Sequence, residues 1–204
     1  MKNKRSYGVA ISLFFVVSFV LLSGCTSDTS NNNSNGPSWM NNYTPVHSVG
    51  TGSNDFWINY PAGNPSSEQN VEHLSWIVDS LKNKPVLFVV HRTGCIGCAD
   101  QAERVIEFGD KYSDYVEFYD LDAVDGASND ILQKANEVYI YDPNGPPGYI
   151  ALTGVYTYMK ENDEVKIGWH TCWHTWEAPN DMTVSDSDLE TWIKDAIYYY
   201  NINK

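Results

Sequence analysis

Val86-Leu87-Phe88-Val89-Val90-His91-Arg92-Thr93-Gly94-Cys95-Ile96-Gly97-Cys98 is the stretch on which the fold turns. Its first five residues are an unbroken apolar run rich in β-branched and aromatic side chains. Such a run predicts a central strand buried on both faces. Four polar or small residues then lead to C-x-x-C. Beyond it Ala99, Ala102, Val105 and Ile106 recur at helical spacing, so the cysteines open a helix.

Neighbouring segments extend this strand–loop–helix unit. Upstream, Val71, Leu74, Ile77, Val78 and Leu81 line one side of an expected helix, with Ser66 and Ser67 as N-cap candidates and Ser66/Gln69 at capping-box spacing. Lys84-Pro85 ends it. A strand at 55–60 is a further candidate, within aromatic, irregular lead-in sequence from Trp39. Downstream come an expected strand at 115–121, a short helix at 128–137, and paired strands at 155–159 and 165–169. Leu189, Trp192, Ile193, Ala196, Ile197 and Tyr200 then mark a C-terminal helix, with Ser187 and Glu190 at capping-box spacing.

The chain has 204 residues, with 13 Lys+Arg against 26 Asp+Glu and a formal charge of −13. That length supports one ordinary domain with a sizeable core. The 42% hydrophobic and 14% aromatic content excludes a disordered chain. An acidic balance argues against nucleic acid or anionic lipid headgroups as partners, both of which call for a cationic face. Four cysteines are too few for a disulfide-built scaffold, so their positions carry the information.

Lys2, Lys4 and Arg5 precede an uncharged apolar run from Gly8 to Leu22, followed by Leu22-Ser23-Gly24-Cys25. A basic start, an apolar centre and small residues at the exit describe an export signal. The ending resembles the lipobox of prokaryotic lipoproteins, which implies cleavage after residue 24 and lipid attachment at Cys25. An uncleaved N-terminal anchor is the alternative; either exports the rest of the chain. Cleavage leaves 10 basic against 26 acidic residues and a formal charge near −16. Residues 25–38 are almost entirely small and polar, as in a flexible tether. The expected organisation is a signal over 1–24, the lipidated cysteine and linker over 25–38, and one domain over 39–204.

A cysteine at a helix N-terminus faces unpaired backbone N–H groups and the positive end of the helix dipole, which stabilise a thiolate. Cys95 has that position, and Cys98 comes round to the same side of the first turn. The outer thiolate attacks a disulfide and the inner thiol resolves the mixed intermediate. The pair also admits two other readings, an inert structural disulfide or half of a zinc site, although no second C-x-x-C follows.

The order helix, buried strand, C-x-x-C helix, strand, helix, hairpin and C-terminal helix resembles the thioredoxin-like superfamily, over roughly residues 68–201. The resemblance implies an α/β thioredoxin-like fold: a central mixed β-sheet flanked by helices, with the C-terminal helix packed on it. It also implies Cys95 as nucleophile and Cys98 as resolving thiol in an extracytoplasmic thiol–disulfide oxidoreductase without a bound cofactor. Exported thiol or disulfide proteins and a redox partner are the expected partners, with the chain held at the outer face of the cell membrane. Three positions depart from the family pattern. Gly94 replaces the usual aromatic before the first cysteine, and Val89 replaces a buried carboxylate. The family's cis-proline position falls on Leu152-Thr153-Gly154, which makes Thr153 the expected neighbour of the sulfurs unless Pro147 reaches them by a longer loop. His91 and Arg92, at the strand's end, are candidates to favour a thiolate electrostatically.

A second cluster, His170-Thr171-Cys172-Trp173-His174, follows the last expected strand. In extended conformation His170, Cys172 and His174 share a face. With Cys95 and Cys98 they make a donor set suited to copper(I), so a metal-binding module is the alternative function. A resolving or disulfide role for Cys172, or a plain buried thiol, are the other readings of that residue. A thioredoxin-fold interaction module with a structural disulfide is the third function.

Overall fold

The computed structural model describes residues 36–173 and 185–204. Cys25, His174, the expected signal segment and most of the expected linker lie outside the described residues.

After a short 3-10 turn at Ser38–Asn42 come α1 (Ser75–Leu81), β1 (Val86–His91), α2 (Ile96–Lys111), β2 (Glu117–Asp122) and α3 (Asn129–Glu137). A second 3-10 turn, Val138–Tyr141, leads to β3 (Leu152–Glu161), β4 (Glu164–Trp173) and α4 (Asp186–Asn203). The strands form one mixed sheet in the order β2-β1-β3-β4. β1 and β2 are parallel, joined by the α2 crossover that parallel pairing demands. β3 lies antiparallel to β1 and continues into β4 through a two-residue hairpin. Asn162 and Asp163 both take positive φ there (50° and 66°), as a type I′ hairpin requires. This is the α/β architecture expected from the element order, with α4 packed on β3.

β1 is buried along Val86–Val90, and its alternation divides the core in two. Leu87 and Val89 join Cys98, Ala102 and Val105 of α2 and Leu189, Trp192 and Ile193 of α4. Phe88 and Val90 join Ile77 and Leu81 of α1, Ala135 of α3 and Tyr141 on the opposite face. Gly154 of β3 is required by that second face: a Cβ there would stand 2.6 Å from the Phe88 ring.

Several local expectations are corrected. The first helix starts at Ser75, not near Ser67. Asn64 organises the serines into a turn, its Oδ1 accepting from Ser66 N (2.8 Å) and its carbonyl from Ser67 N (2.9 Å). Glu68 then takes φ 67°, and Asn70 pairs with Asn59 as extended chain. The strand expected from Tyr115 begins at Glu117, because Tyr115 and Val116 still bond back to Tyr112 at the end of α2. α4 is capped by Ser185, whose Oγ accepts from Asp188 N (3.2 Å), two residues before the expected cap at Ser187. The last strand runs on through His170–Trp173, so this segment lies within the sheet instead of beyond it.

The lead-in is fastened to α4 by one carboxylate. Asp195, 0% exposed, accepts from Tyr43 Oη (2.6 Å), Val46 N (3.1 Å), His47 N (2.8 Å) and His47 Nδ1 (2.7 Å). Tyr199 Oη donates to the His47 carbonyl (2.7 Å), and Trp57 exchanges backbone bonds with Trp169 on the outer edge of β4. Removing the carboxylate strands several buried or half-buried donors at once. Asp195→Ala should therefore lose about 3 kcal/mol of stability, read as a lowered urea midpoint at unchanged slope.

Candidate functional site

The Arg92–Cys95 turn sets the geometry of the site. Cys95 N donates to Arg92 O (2.9 Å), and Gly94 takes φ 87° at the third position of that turn. A type II turn needs a left-handed residue there, which is the physical reason a glycine stands before the first cysteine. Cys95 is the N-cap residue of α2, with φ −77° and ψ 102°. Its carbonyl accepts the first helical bonds, from Cys98 N (3.3 Å) and Ala99 N (3.1 Å).

Cys95 and Cys98 form a disulfide, with sulfurs 2.11 Å apart and Cα atoms 5.6 Å apart. The two ends are not equivalent. Cys98 is 0% exposed inside the core shared by α2 and α4, whereas Cys95 is only partly buried against that core. Ile96, between them, is 83% exposed. One sulfur therefore faces approach from solvent while its partner stays covered.

The loop from β1 to α2 is tied down residue by residue to acids on or just after β2. His91 Nε2 meets Asp120 Oδ1 at 2.7 Å, Arg92 Nη2 donates to Asp125 Oδ1 at 2.9 Å, and Thr93 gives its N–H and hydroxyl to Asp122. The hydrogen bond to Asp120 raises the His91 pKa against the opposing effect of burial. Burial pushes the Asp122 carboxyl up, but the hydroxyl and amide of Thr93 outweigh it and leave the group below its ordinary value. None of these acids stands out in the sequence. Their signal is the alternation Tyr119-Asp120-Leu121-Asp122, which in a strand puts both acids on the face that carries α2.

Thr153 lies inside β3, paired with Val89 of β1 and Cys172 of β4. Its Oγ1 accepts from Gln101 Nε2 (3.0 Å), one turn of α2 beyond Cys98. Ile150 and Ala151, just before the strand, belong to the same core cluster as Cys95 and Cys98. The Ile150–Ala151 and Pro146–Pro147 peptides are both cis.

His170 and Cys172 point to the α2–α4 face, where both are buried. His170 stacks on Trp192 at 3.7 Å, and its Nδ1 donates to the Asp55 carbonyl (3.1 Å). His47 covers the other face of Trp192 at 3.5 Å, so the indole is held between two imidazoles. Burial lowers the His170 pKa to about 3, which keeps the ring neutral. Cys172 is a buried free thiol whose pKa burial pushes up to about 12, with Arg104 pulling weakly the other way. A thiol so protonated is a poor nucleophile. Among the described residues, no group of three or more His, Cys, Asp or Glu is gathered to hold a metal ion.

No family model, curated protein or solved structure matches this chain. Among the described residues, no helix is long and apolar enough to cross a membrane.

Proposed function

We propose that the chain is a thiol–disulfide oxidoreductase of thioredoxin-like fold that works outside the cytoplasm, held at the membrane by a lipid on Cys25. The observation that carries this is the asymmetric Cys95–Cys98 disulfide at the N-terminus of α2. When the pair is reduced, the Cys95 thiolate attacks one sulfur of a substrate disulfide, and the departing sulfur takes a proton from solvent. Cys98 then gives up its proton and attacks Cys95, which restores the protein disulfide and releases the second substrate thiol. The reverse sequence oxidises a dithiol. In both directions the helix N-terminus stabilises negative charge on Cys95, and burial keeps Cys98 from reacting with anything but its neighbour.

Two measurements test the proposal. With dithiothreitol as electron donor, the protein should catalyse reduction of insulin disulfides, and a rate equal to that of dithiothreitol alone would count against the chemistry. The anchor is checked separately in the exporting cell: wild-type protein should partition with membranes, and Cys25→Ser should not carry lipid. Equal recovery of a radiolabelled fatty acid on both proteins would reject Cys25 as the attachment point.

A further inference from the structure

Among the described residues, the exposed side chains on α2 just beyond Ile96, and those on and just after β2 that hold the Arg92–Cys95 turn, are mostly acidic. On the exposed side of α2, Ile96 is followed by Asp100 about one turn on and Glu103 about two turns on, both exposed, and the Asp100 side chain is 73% exposed. On the loop side stand Asp120, Asp122 and Asp125, the last 93% exposed. The nearby cations are each committed to an acid: Arg92 to Asp125, Arg104 to Asp100 and Asp186, and His91 to Asp120. Among the described residues, a partner approaching Cys95 thus meets the exposed Ile96 beside acids that outnumber the cations paired with them.

From this arrangement we infer that the site selects positively charged disulfide and thiol substrates, and discriminates against anionic ones. The inference rests on the redox reading of Cys95 and Cys98 and adds the chemical class of their substrate. Acids at the rim raise the local concentration of cationic reactants and lower that of anionic ones, an effect on encounter rate that salt screens. Ile96 supplies apolar contact for the carbon chain next to the substrate sulfur. The exchange itself is charge-indifferent: one substrate disulfide and the protein dithiol become two substrate thiols and the protein disulfide.

The test uses reduced protein freed of reductant and three small disulfides: cystamine (cationic), hydroxyethyl disulfide (neutral) and dithiodiglycolate (anionic). Each rate is divided by the rate of the same compound with dithiothreitol, an uncharged dithiol, which cancels intrinsic reactivity. In about 20 mM salt the normalised rate for cystamine should exceed that for dithiodiglycolate by about tenfold, and about 500 mM salt should remove most of the difference. The exposed double variant Asp100→Lys, Asp125→Lys should reverse the order at low salt. Equal normalised rates for all three compounds, or a preference unchanged by salt, would overturn the inference while leaving the redox reading intact. Reaction with none of the three would overturn the redox reading itself, and the inference with it.

Discussion

Cys98→Ser should accumulate mixed disulfides between Cys95 and its partners, while multiple-turnover exchange falls by about a thousandfold or more. Serine cannot displace the partner sulfur, so the covalent intermediate persists. Cys95→Ser should trap nothing, because Cys98 is buried and has no access to an incoming disulfide. Cys172 offers no rescue: it sits on β4 as a protonated, buried thiol. The readout is non-reducing electrophoresis of membranes from cells producing each variant, beside insulin reduction by the purified proteins. Turnover by either variant within about twofold of the parent would contradict the two-step exchange.

Acid should unfold the protein in a way that two histidines dominate. His170 is pushed down to about 3 and His73 to about 4, both by burial, from an ordinary value of 6.5. His73 lies against Tyr141, whose hydroxyl receives Leu74 N–H (2.9 Å) and is hydrogen-bonded to His73 Nδ1 (3.2 Å). For each ring the native pKa lies below the unfolded one. Stability is therefore undiminished above pH 6.5 and is lost as pH falls, because only the unfolded chain takes up the proton. With two such groups the loss approaches about 2.7 kcal/mol per pH unit near pH 5. His91 acts in the opposite sense: its raised pKa adds stability that is lost as pH rises, outside the acid window. Glu190 is held at about 2 by hydrogen bonds from Tyr112 and Lys111, and its contribution is lost only below the ordinary carboxylate range near 4.5. Urea unfolding between about pH 4.5 and pH 7 measures the slope, and His170→Gln should roughly halve it. A flat stability profile across that range would show that these rings are not buried neutral in the native protein.

The parts of the fold that are legible in the sequence are those where one signal dominates. An apolar run followed, after four polar or small residues, by C-x-x-C specifies β1 and the start of α2, because a strand buried on both faces leaves few other patterns. The α4 stripe is equally plain, but its cap is ambiguous. Ser185/Asp188 and Ser187/Glu190 have the same spacing, and only the backbone shows which serine accepts the helical N–H. The start of α1 is obscured for a related reason: Ser66 and Ser67 have cap chemistry, yet Asn64 uses them in a turn. His170–Trp173 reads as polar and aromatic sequence with no strand alternation, since both of its faces are covered.

The candidate site divides along the same line. The disulfide, its exposed and buried ends, and the departure at Gly94 follow from local sequence order. The ties from His91, Arg92 and Thr93 to Asp120, Asp125 and Asp122 depend on parallel pairing of β1 with β2, in which His91 lies opposite Asp122. Contacts between residues so far apart along the chain have no local signature, so they emerge only with the sheet. The same holds for Asp195, which fastens Tyr43 and His47 from the far end of the chain.

The central claim is that Cys95–Cys98 exchanges electrons in service rather than holding the chain together. Its reduction potential tests that most directly, obtained by equilibrating the protein in glutathione buffers and counting alkylated cysteines by mass. The account predicts a value within the range of disulfide-exchange catalysts, between about −120 and −270 mV. A value below about −300 mV, where structural disulfides resist the glutathione pool, would contradict it.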